Sequence, residues 1–225
     1  MISKLPRWVE FGAFFLSVLA GSVNAIGLLG FQHQSVSHLS GTATLLGANL
    51  FQGNVVVLHL VYVLLSFVAG SALSGFLVGN TALKLGRNYS FALLLEGGLL
   101  FAAMAALMSG SVSGHYLASA ACGLQNALVT TYSGALIRTT HVTGLFTDIG
   151  IMLGLKLRGQ QLDRRRVGLY CLIIAGFIGG GSFGAVLYAS MAFKALLVPG
   201  SMAVALAVGY SLYVNIKNRN DRRVG

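Results

Sequence analysis

The sequence predicts an all-α fold, a polytopic membrane helix bundle with little chain left for a soluble domain. Only 9% of the 225 residues are charged, 56% are hydrophobic, and the mean hydropathy is +0.79. A soluble domain normally carries about 25% charged residues. A polar motif around His38 recurs around His141, between apolar runs, and this recurrence indicates an internal duplication.

Six apolar runs are long enough to cross a bilayer, which requires about 20 apolar residues in succession. They cover residues 10–30, 56–79, 89–109, 115–137, 167–190 and 195–214. We therefore expect a single integral membrane domain over residues 1–225. The first run follows Lys4 and Arg7 and resembles a signal peptide. Its counterpart in the second half lies in mid-chain, so we expect the first run to be retained.

The duplicated motif reads hydroxyl, His, apolar, hydroxyl, Gly, two free positions, Thr, two free positions, Gly. Its copies occupy residues 37–47 and 140–150. Asn24 aligns with Asn126 in the spans that precede the motif, and residues 67–71 resemble residues 177–181 in the spans that follow it. We expect a first repeat over residues 9–110 and a second over residues 113–215, each with three long spans and one short segment.

The distribution of basic residues favours six crossings over eight. The motif segments, 37–50 and 140–155, are too short to cross comfortably. If they are re-entrant or half-helix segments, all of the 15 Lys and Arg residues except Lys194 face the cytoplasm together with both termini. The two halves are then inverted relative to each other. The alternative is eight crossings with parallel halves, which puts Lys84, Arg87 and Arg138 outside as well.

Inverted repeats with broken helices typically carry a solute or ion site near the membrane midplane. The Ser and Thr residues of each motif are good N-caps, and a helix N-terminus suits an anionic or polar solute. The alternative is that these hydroxyls bond only to backbone and that the motif glycines only pack. Within the two motifs the predicted pathway residues are His38, Ser40, Gly41, Thr44, His141, Thr143, Gly144, Thr147 and Asp148.

Two acidic residues lie inside apolar surroundings, Glu96 in the third long span and Asp148 in the second motif. Intramembrane carboxylates are costly and tend to line pathways or relay protons. Asp148 follows His141 by seven residues, about two helical turns, so both side chains can share one face. The alternative for either carboxylate is a structural pairing with a His or with Arg138.

Three amides complete the predicted pathway set: Asn24, Gln125 and Asn126. They either bond between helices or line a cavity. Glycines and serines at a spacing of four in the spans after each motif, including Gly70 and Gly180, predict close helix packing.

At these motifs the chain resembles the YoaK family of bacterial membrane proteins, which is defined by sequence and labelled as of unknown function. The resemblance rests on residues 21–25, 36–42, 123–127 and 139–144 and extends over nearly the whole chain. Many family members carry Asp where this chain has Asn24, and Asn where it has Thr42. The resemblance implies a multi-spanning protein of the bacterial inner membrane and assigns no substrate.

We expect a secondary transporter or channel for a small polar or ionic solute, because buried polar motifs recur within an apolar bundle. The alternative is a structural or regulatory membrane protein that transports nothing and forms a homo-oligomer. The sequence has no His-Glu-x-x-His zinc motif and no nucleotide-binding loop, so we expect no enzymatic activity, metal, cofactor or ATP drive. The expected partners are the lipid bilayer and the solute. Nucleic acid is excluded because the basic residues lie in short loops and tails.

Overall fold

The computed structural model describes residues 7–30, 36–52, 55–79, 87–132 and 139–224, and these residues are helical with no β-strand. The all-α prediction is confirmed. The eight α-helices of this part of the chain are α1 (Arg7–Gly30), α2 (Leu39–Asn49), α3 (Val55–Val78), α4 (Arg87–Met108), α5 (Ser113–Tyr132), α6 (Val142–Leu157), α7 (Arg164–Met191) and α8 (Leu197–Val224). Short 3-10 helices cover Leu50–Gln52 and Ala192–Leu196.

Four described segments are long and apolar enough to cross a membrane: Val9–Gly30, Val55–Val78, Asn88–Met108 and Arg164–Lys217. The last is 54 residues long and contains both α7 and α8, which are separated by the 3-10 helix at Ala192–Leu196. Large apolar side chains such as Phe76 and Val186 point away from the bundle and are exposed on its surface. These features identify a multi-pass membrane protein.

Local signals explain where several helices begin and end. Asp163 caps α7 by accepting a hydrogen bond from the backbone N–H of Arg166 at 3.0 Å. Helix α4 ends with Gly110 at φ +76°, and the N–H of Ser111 donates to the carbonyl of Ala106 at 2.9 Å. Helix α6 ends in the same way at Gly159, at φ +85°. Glycine adopts this left-handed conformation without steric cost, so both helices stop in Schellman motifs.

Two pairs of helices pack so closely that glycine is required at the contact. A Cβ added at Gly180 of α7 would lie 2.7 Å from the backbone carbon of Val18 in α1. A Cβ added at Gly70 of α3 would lie 2.7 Å from the backbone carbon of Ala120 in α5. The predicted close packing of the glycine stripes is present at these positions, where backbone meets backbone.

The contacts also fix the relative directions of the helices. In α1 and α7 the contacting residue numbers rise together, since Val18 meets Gly180 and Ser22 meets Gly184. Helices α3 and α5 are likewise parallel, with the Oγ of Ser119 donating to the carbonyl of Val63 and the Oγ of Ser71 donating to that of Gly123.

Two other pairs of helices run antiparallel. Gly97 of α4 faces Val204 of α8, whereas Phe101 of α4 faces Gly200 of α8. Helices α1 and α5 are also antiparallel. The Nε2 of Gln125 donates to the carbonyl of Leu16, and the N-terminal half of α1 lies in one apolar cluster with the C-terminal half of α5. Helix α5 thus packs against both α1 and α4.

Candidate functional site

The two histidine motifs form the starts of α2 and α6, as the sequence predicts. The N-cap residues are His38 and His141 themselves, and neither side chain makes a capping hydrogen bond. The expectation that the motif hydroxyls act as N-caps is therefore wrong. The hydroxyls of Ser37 and Thr140 instead point toward the preceding long helices and donate hydrogen bonds there.

That partner is an asparagine in each half. The Oγ of Ser37 donates to the Oδ1 of Asn24 at 2.6 Å, and the Oγ1 of Thr140 donates to the Oδ1 of Asn126 at 3.1 Å. Ser37 and Thr140 are both buried. Each asparagine thus anchors the start of a short helix to the long helix before it, which is the bonding role rather than the cavity-lining role.

Two further motif hydroxyls, those of Thr44 and Thr147, bond within their own helices. Thr44 donates to the carbonyl of Ser40 at 2.8 Å, and Thr147 donates to the carbonyl of Thr143 at 3.0 Å. All four residues are exposed on the surface of the bundle.

The two motif histidines are exposed but differ in their surroundings. The imidazole of His141 lies directly over Gly144, and any Cβ at that position would overlap the ring. The corresponding Gly41 has open space where a Cβ would be. Gly144 is therefore needed to seat the His141 ring, whereas His38 makes no comparable use of Gly41.

Asp148 lies near the surface and forms an ion pair. Its Oδ2 is 3.8 Å from a guanidinium nitrogen of Arg166, and both side chains are about two-fifths exposed (43% and 41%). The carboxyl thus has a structural partner, which is Arg166 and not a His; Arg138, the other partner expected from the sequence, lies outside the described residues. A second ion pair joins Arg165 to Glu10 at 2.8 Å, so the start of α7 is tied to both α6 and α1.

Glu96 is the deepest carboxyl of the described chain, 1% exposed on the inner face of α4. Its Oε2 has no hydrogen-bond partner, and α4 packs against α5, in which Cys122 is buried. Gln125, one turn further along α5, is also 1% exposed, and its Oε1 has no partner although its Nε2 is bonded to Leu16. Two unpaired oxygen acceptors are thus buried on neighbouring helices.

A cavity of about 250 Å³ lies between α1, α4 and α8. Its wall is apolar apart from the three tyrosines Tyr89, Tyr210 and Tyr213, and it includes Gly12, Leu16 and Leu93. Leu16 and Leu93, 4% and 1% exposed, are its most buried lining residues and form its deep end. Gln125 bonds the carbonyl of Leu16, and Glu96 follows Leu93 by one turn. No histidine-motif residue lines this cavity.

The sequence does not predict a cluster that lies at the N-terminal ends of α3 and α5. His59 contacts Tyr116 through Nδ1 at 3.1 Å and His115 through Nε2 at 3.4 Å. The two histidines have no counterparts in the repeat, so only the parallel packing of α3 on α5 brings them together. In the described ranges no group of three or more His, Cys, Asp or Glu residues could hold a metal ion.

The model of a family described as "Protein of unknown function (DUF1275)" matches residues 12–209. The chain belongs to the DUF1275 family. This agrees with the resemblance to YoaK-like proteins at the two histidine motifs. Neither the curated proteins nor the solved structures contain a match to this chain.

Proposed function

We propose that this DUF1275 protein is a secondary transporter or channel for a small polar or ionic solute. The observation that carries the proposal is that two oxygens on neighbouring helices, Oε2 of Glu96 and Oε1 of Gln125, are buried without a hydrogen-bond partner. Leaving one buried polar group without a partner costs about 1–3 kcal/mol. Oxygens that are kept unpaired at this cost are suited to accept a proton, a cation or a solute that donates hydrogen bonds.

The second part of the proposal is that the two halves form an inverted repeat. Equivalent residues make equivalent contacts in the two halves. Gly21 packs on the backbone of Phe177, and Gly123 packs on the backbone of Phe67. The Asn–hydroxyl bonds that anchor α2 and α6 recur in the same way. In each half, the first long helix thus packs against the glycine-rich helix of the other half.

Helix directions support six crossings. With eight crossings, helices α1 and α5 would run parallel, and so would α4 and α8. In the bundle the ring of Tyr89 contacts that of Tyr210 while Phe101 meets Gly200, so α4 and α8 are antiparallel. Six crossings, with α2 and α6 as re-entrant or half-helix segments, give these directions. We propose that the protein lies in the inner membrane with both termini in the cytoplasm, because that orientation leaves most of the basic residues inside.

A structural or regulatory role without transport is the second candidate. It is favoured by the cavity wall, which contains no histidine-motif residue, and by the tight backbone contacts at Gly70 and Gly180. Such a protein would act with a second copy or another membrane protein in the bilayer.

We propose no catalytic step. The Gly-x-Ser-x-Gly pattern at residues 180–184 lies inside α7 and not on a strand-to-helix turn, so it forms no nucleophile elbow.

Flux measurements in proteoliposomes test the proposal. Purified protein is reconstituted, and uptake of alkali cations, amino acids and organic cations is followed together with internal pH. We expect at least one solute to move faster than in empty vesicles, and Glu96→Gln to reduce that flux by about tenfold or more. Asp163→Asn is the matched control, because Asp163 is an exposed acid outside the predicted pathway and asparagine can still cap α7.

The contrary results are equally specific. If no solute of the panel moves above the rate of empty vesicles, transport is wrong and the structural role takes its place. If flux occurs but Glu96→Gln leaves it unchanged, the buried carboxyl is not in the pathway.

A further inference from the structure

We infer that the cavity between α1, α4 and α8 binds a small organic cation with an apolar body, from the cytoplasmic side. This inference rests on the proposed transport function and names the solute class. The cavity measures about 250 Å³, slightly below the usual range of about 300–1,000 Å³ for ligand sites, so its occupant is small.

A difference between equivalent glycines indicates that the cavity is an open entrance. In the inverted repeat α1 corresponds to α5 and α4 corresponds to α8, so the contact between α4 and α5 is equivalent to the contact between α8 and α1. Gly114 of α5 is equivalent to Gly12 of α1. A Cβ at Gly114 would lie 2.7 Å from the carbonyl oxygen of Ala103 and 2.8 Å from the Cδ2 of Leu107. A Cβ at Gly12 would meet nothing within 4 Å. The bundle is closed between α4 and α5 at one end and open between α8 and α1 at the other.

The open end is the cytoplasmic one in the six-crossing arrangement, because it contains the start of α1 and the second half of α8. Transporters built from inverted repeats alternate by exchanging such a closed contact for an open one. The described structure thus has the form of an inward-open state.

The chemistry of the wall selects the solute. Tyr89 and Tyr210 form a ring pair with centroids 4.7 Å apart, and Tyr213 lies at the mouth of the cavity, 42% exposed. Aromatic faces attract cations, by about 2 kcal/mol where the site is desolvated. No charged side chain among the described residues lines the cavity, and Glu96 follows the buried lining residue Leu93 by one turn. Among these lining residues an anion meets no positive group, whereas an organic cation meets aromatic faces first and a carboxyl beyond them.

Direct binding in detergent tests this inference without requiring transport. Benzyltrimethylammonium is the probe and benzenesulfonate, which is of similar size and opposite charge, is its control. Calorimetric titration is expected to give saturable binding of the cation, and Gly12→Leu is expected to weaken it about tenfold or more by filling the cavity. Gly168→Leu is the matched control, because a side chain there also has open space but lies on α7, away from the cavity.

Each outcome has a defined meaning. Binding of the cation that Gly12→Leu removes and Gly168→Leu retains supports the site. Equal binding of cation and anion overturns the solute class, and absence of binding, or binding insensitive to Gly12→Leu, overturns the site. Flux of another solute with no probe binding would overturn only this inference, whereas probe binding with no flux of any solute would overturn only the transport function.

Discussion

Replacing the buried glycines by alanine has a predictable cost, which follows from the distances at the helix contacts. In Gly70→Ala the new methyl group would lie 2.7 Å from the backbone carbon of Ala120, and in Gly180→Ala it would lie 2.7 Å from that of Val18. Carbon atoms pack at about 3.5–4.0 Å, so the helices must separate by about 1 Å. Backbone atoms cannot rotate away as a flexible side chain can.

The expected net effect combines two opposing contributions. Overpacking of this kind costs about 1–3 kcal/mol, and alanine returns about 0.5–1 kcal/mol because it favours the helix more than glycine does. Gly70→Ala and Gly180→Ala are therefore expected to destabilise by about 1–2 kcal/mol each. Gly75→Ala on α3 and Gly179→Ala on α7 meet open space and are expected to be neutral or slightly stabilising.

Thermal unfolding in detergent measures these differences, and the chain provides its own reporter. Cys122 is buried, so its thiol reacts with a fluorogenic maleimide only after unfolding. Cys171 is exposed and is first replaced by alanine. A cost of 1 kcal/mol lowers the midpoint of a protein of this size by about 2–4 °C. Equal midpoints for Gly70→Ala and Gly75→Ala would refute the close backbone contact.

Two further substitutions test the contacts that anchor the short helix α2 and the start of α7. Asn24→Ala is expected to destabilise the protein by about 1–3 kcal/mol, because the buried Ser37 hydroxyl loses its acceptor. Asn24→Asp keeps an acceptor oxygen and is expected to lower the unfolding midpoint less. A larger loss for Asn24→Asp than for Asn24→Ala would contradict the bond. Arg165→Ala is expected to cost about 0–1 kcal/mol, because its ion pair with Glu10 is about one-third exposed; the loss should shrink at high salt, and a salt-independent loss would indicate a packing role instead.

Much of the architecture could be read from the sequence because its signals are local. Runs of apolar residues specify long helices wherever they occur, and the two short helices begin immediately after His38 and His141. Close packing at the glycine stripes was also predictable, since a spacing of four puts Gly70 and Gly180 on a helix face that a neighbouring backbone can approach.

The site could be predicted only in part, because it depends on which helices become neighbours. In a helix that is apolar all round, periodicity does not tell whether Glu96 faces lipid or protein. The pairing of Asp148 with Arg166 and the contact of His59 with His115 each join helices that are distant in sequence. The sequence predicts N-caps at the motif hydroxyls because it does not show that the asparagines of the preceding helices lie next to Ser37 and Thr140 as acceptors.

The central claim, two inverted halves with six crossings, is tested most directly by the sidedness of the two loops that contain Ser111 and Gln160. Both residues are exposed, between α4 and α5 and between α6 and α7 respectively. Ser111→Cys and Gln160→Cys are made in a Cys171→Ala background and labelled with an impermeant maleimide in right-side-out and inside-out vesicles. Six crossings predict that Ser111→Cys is labelled from outside and Gln160→Cys from the cytoplasm. Labelling of both from the same side would contradict the inverted arrangement, because eight crossings place both loops in the cytoplasm.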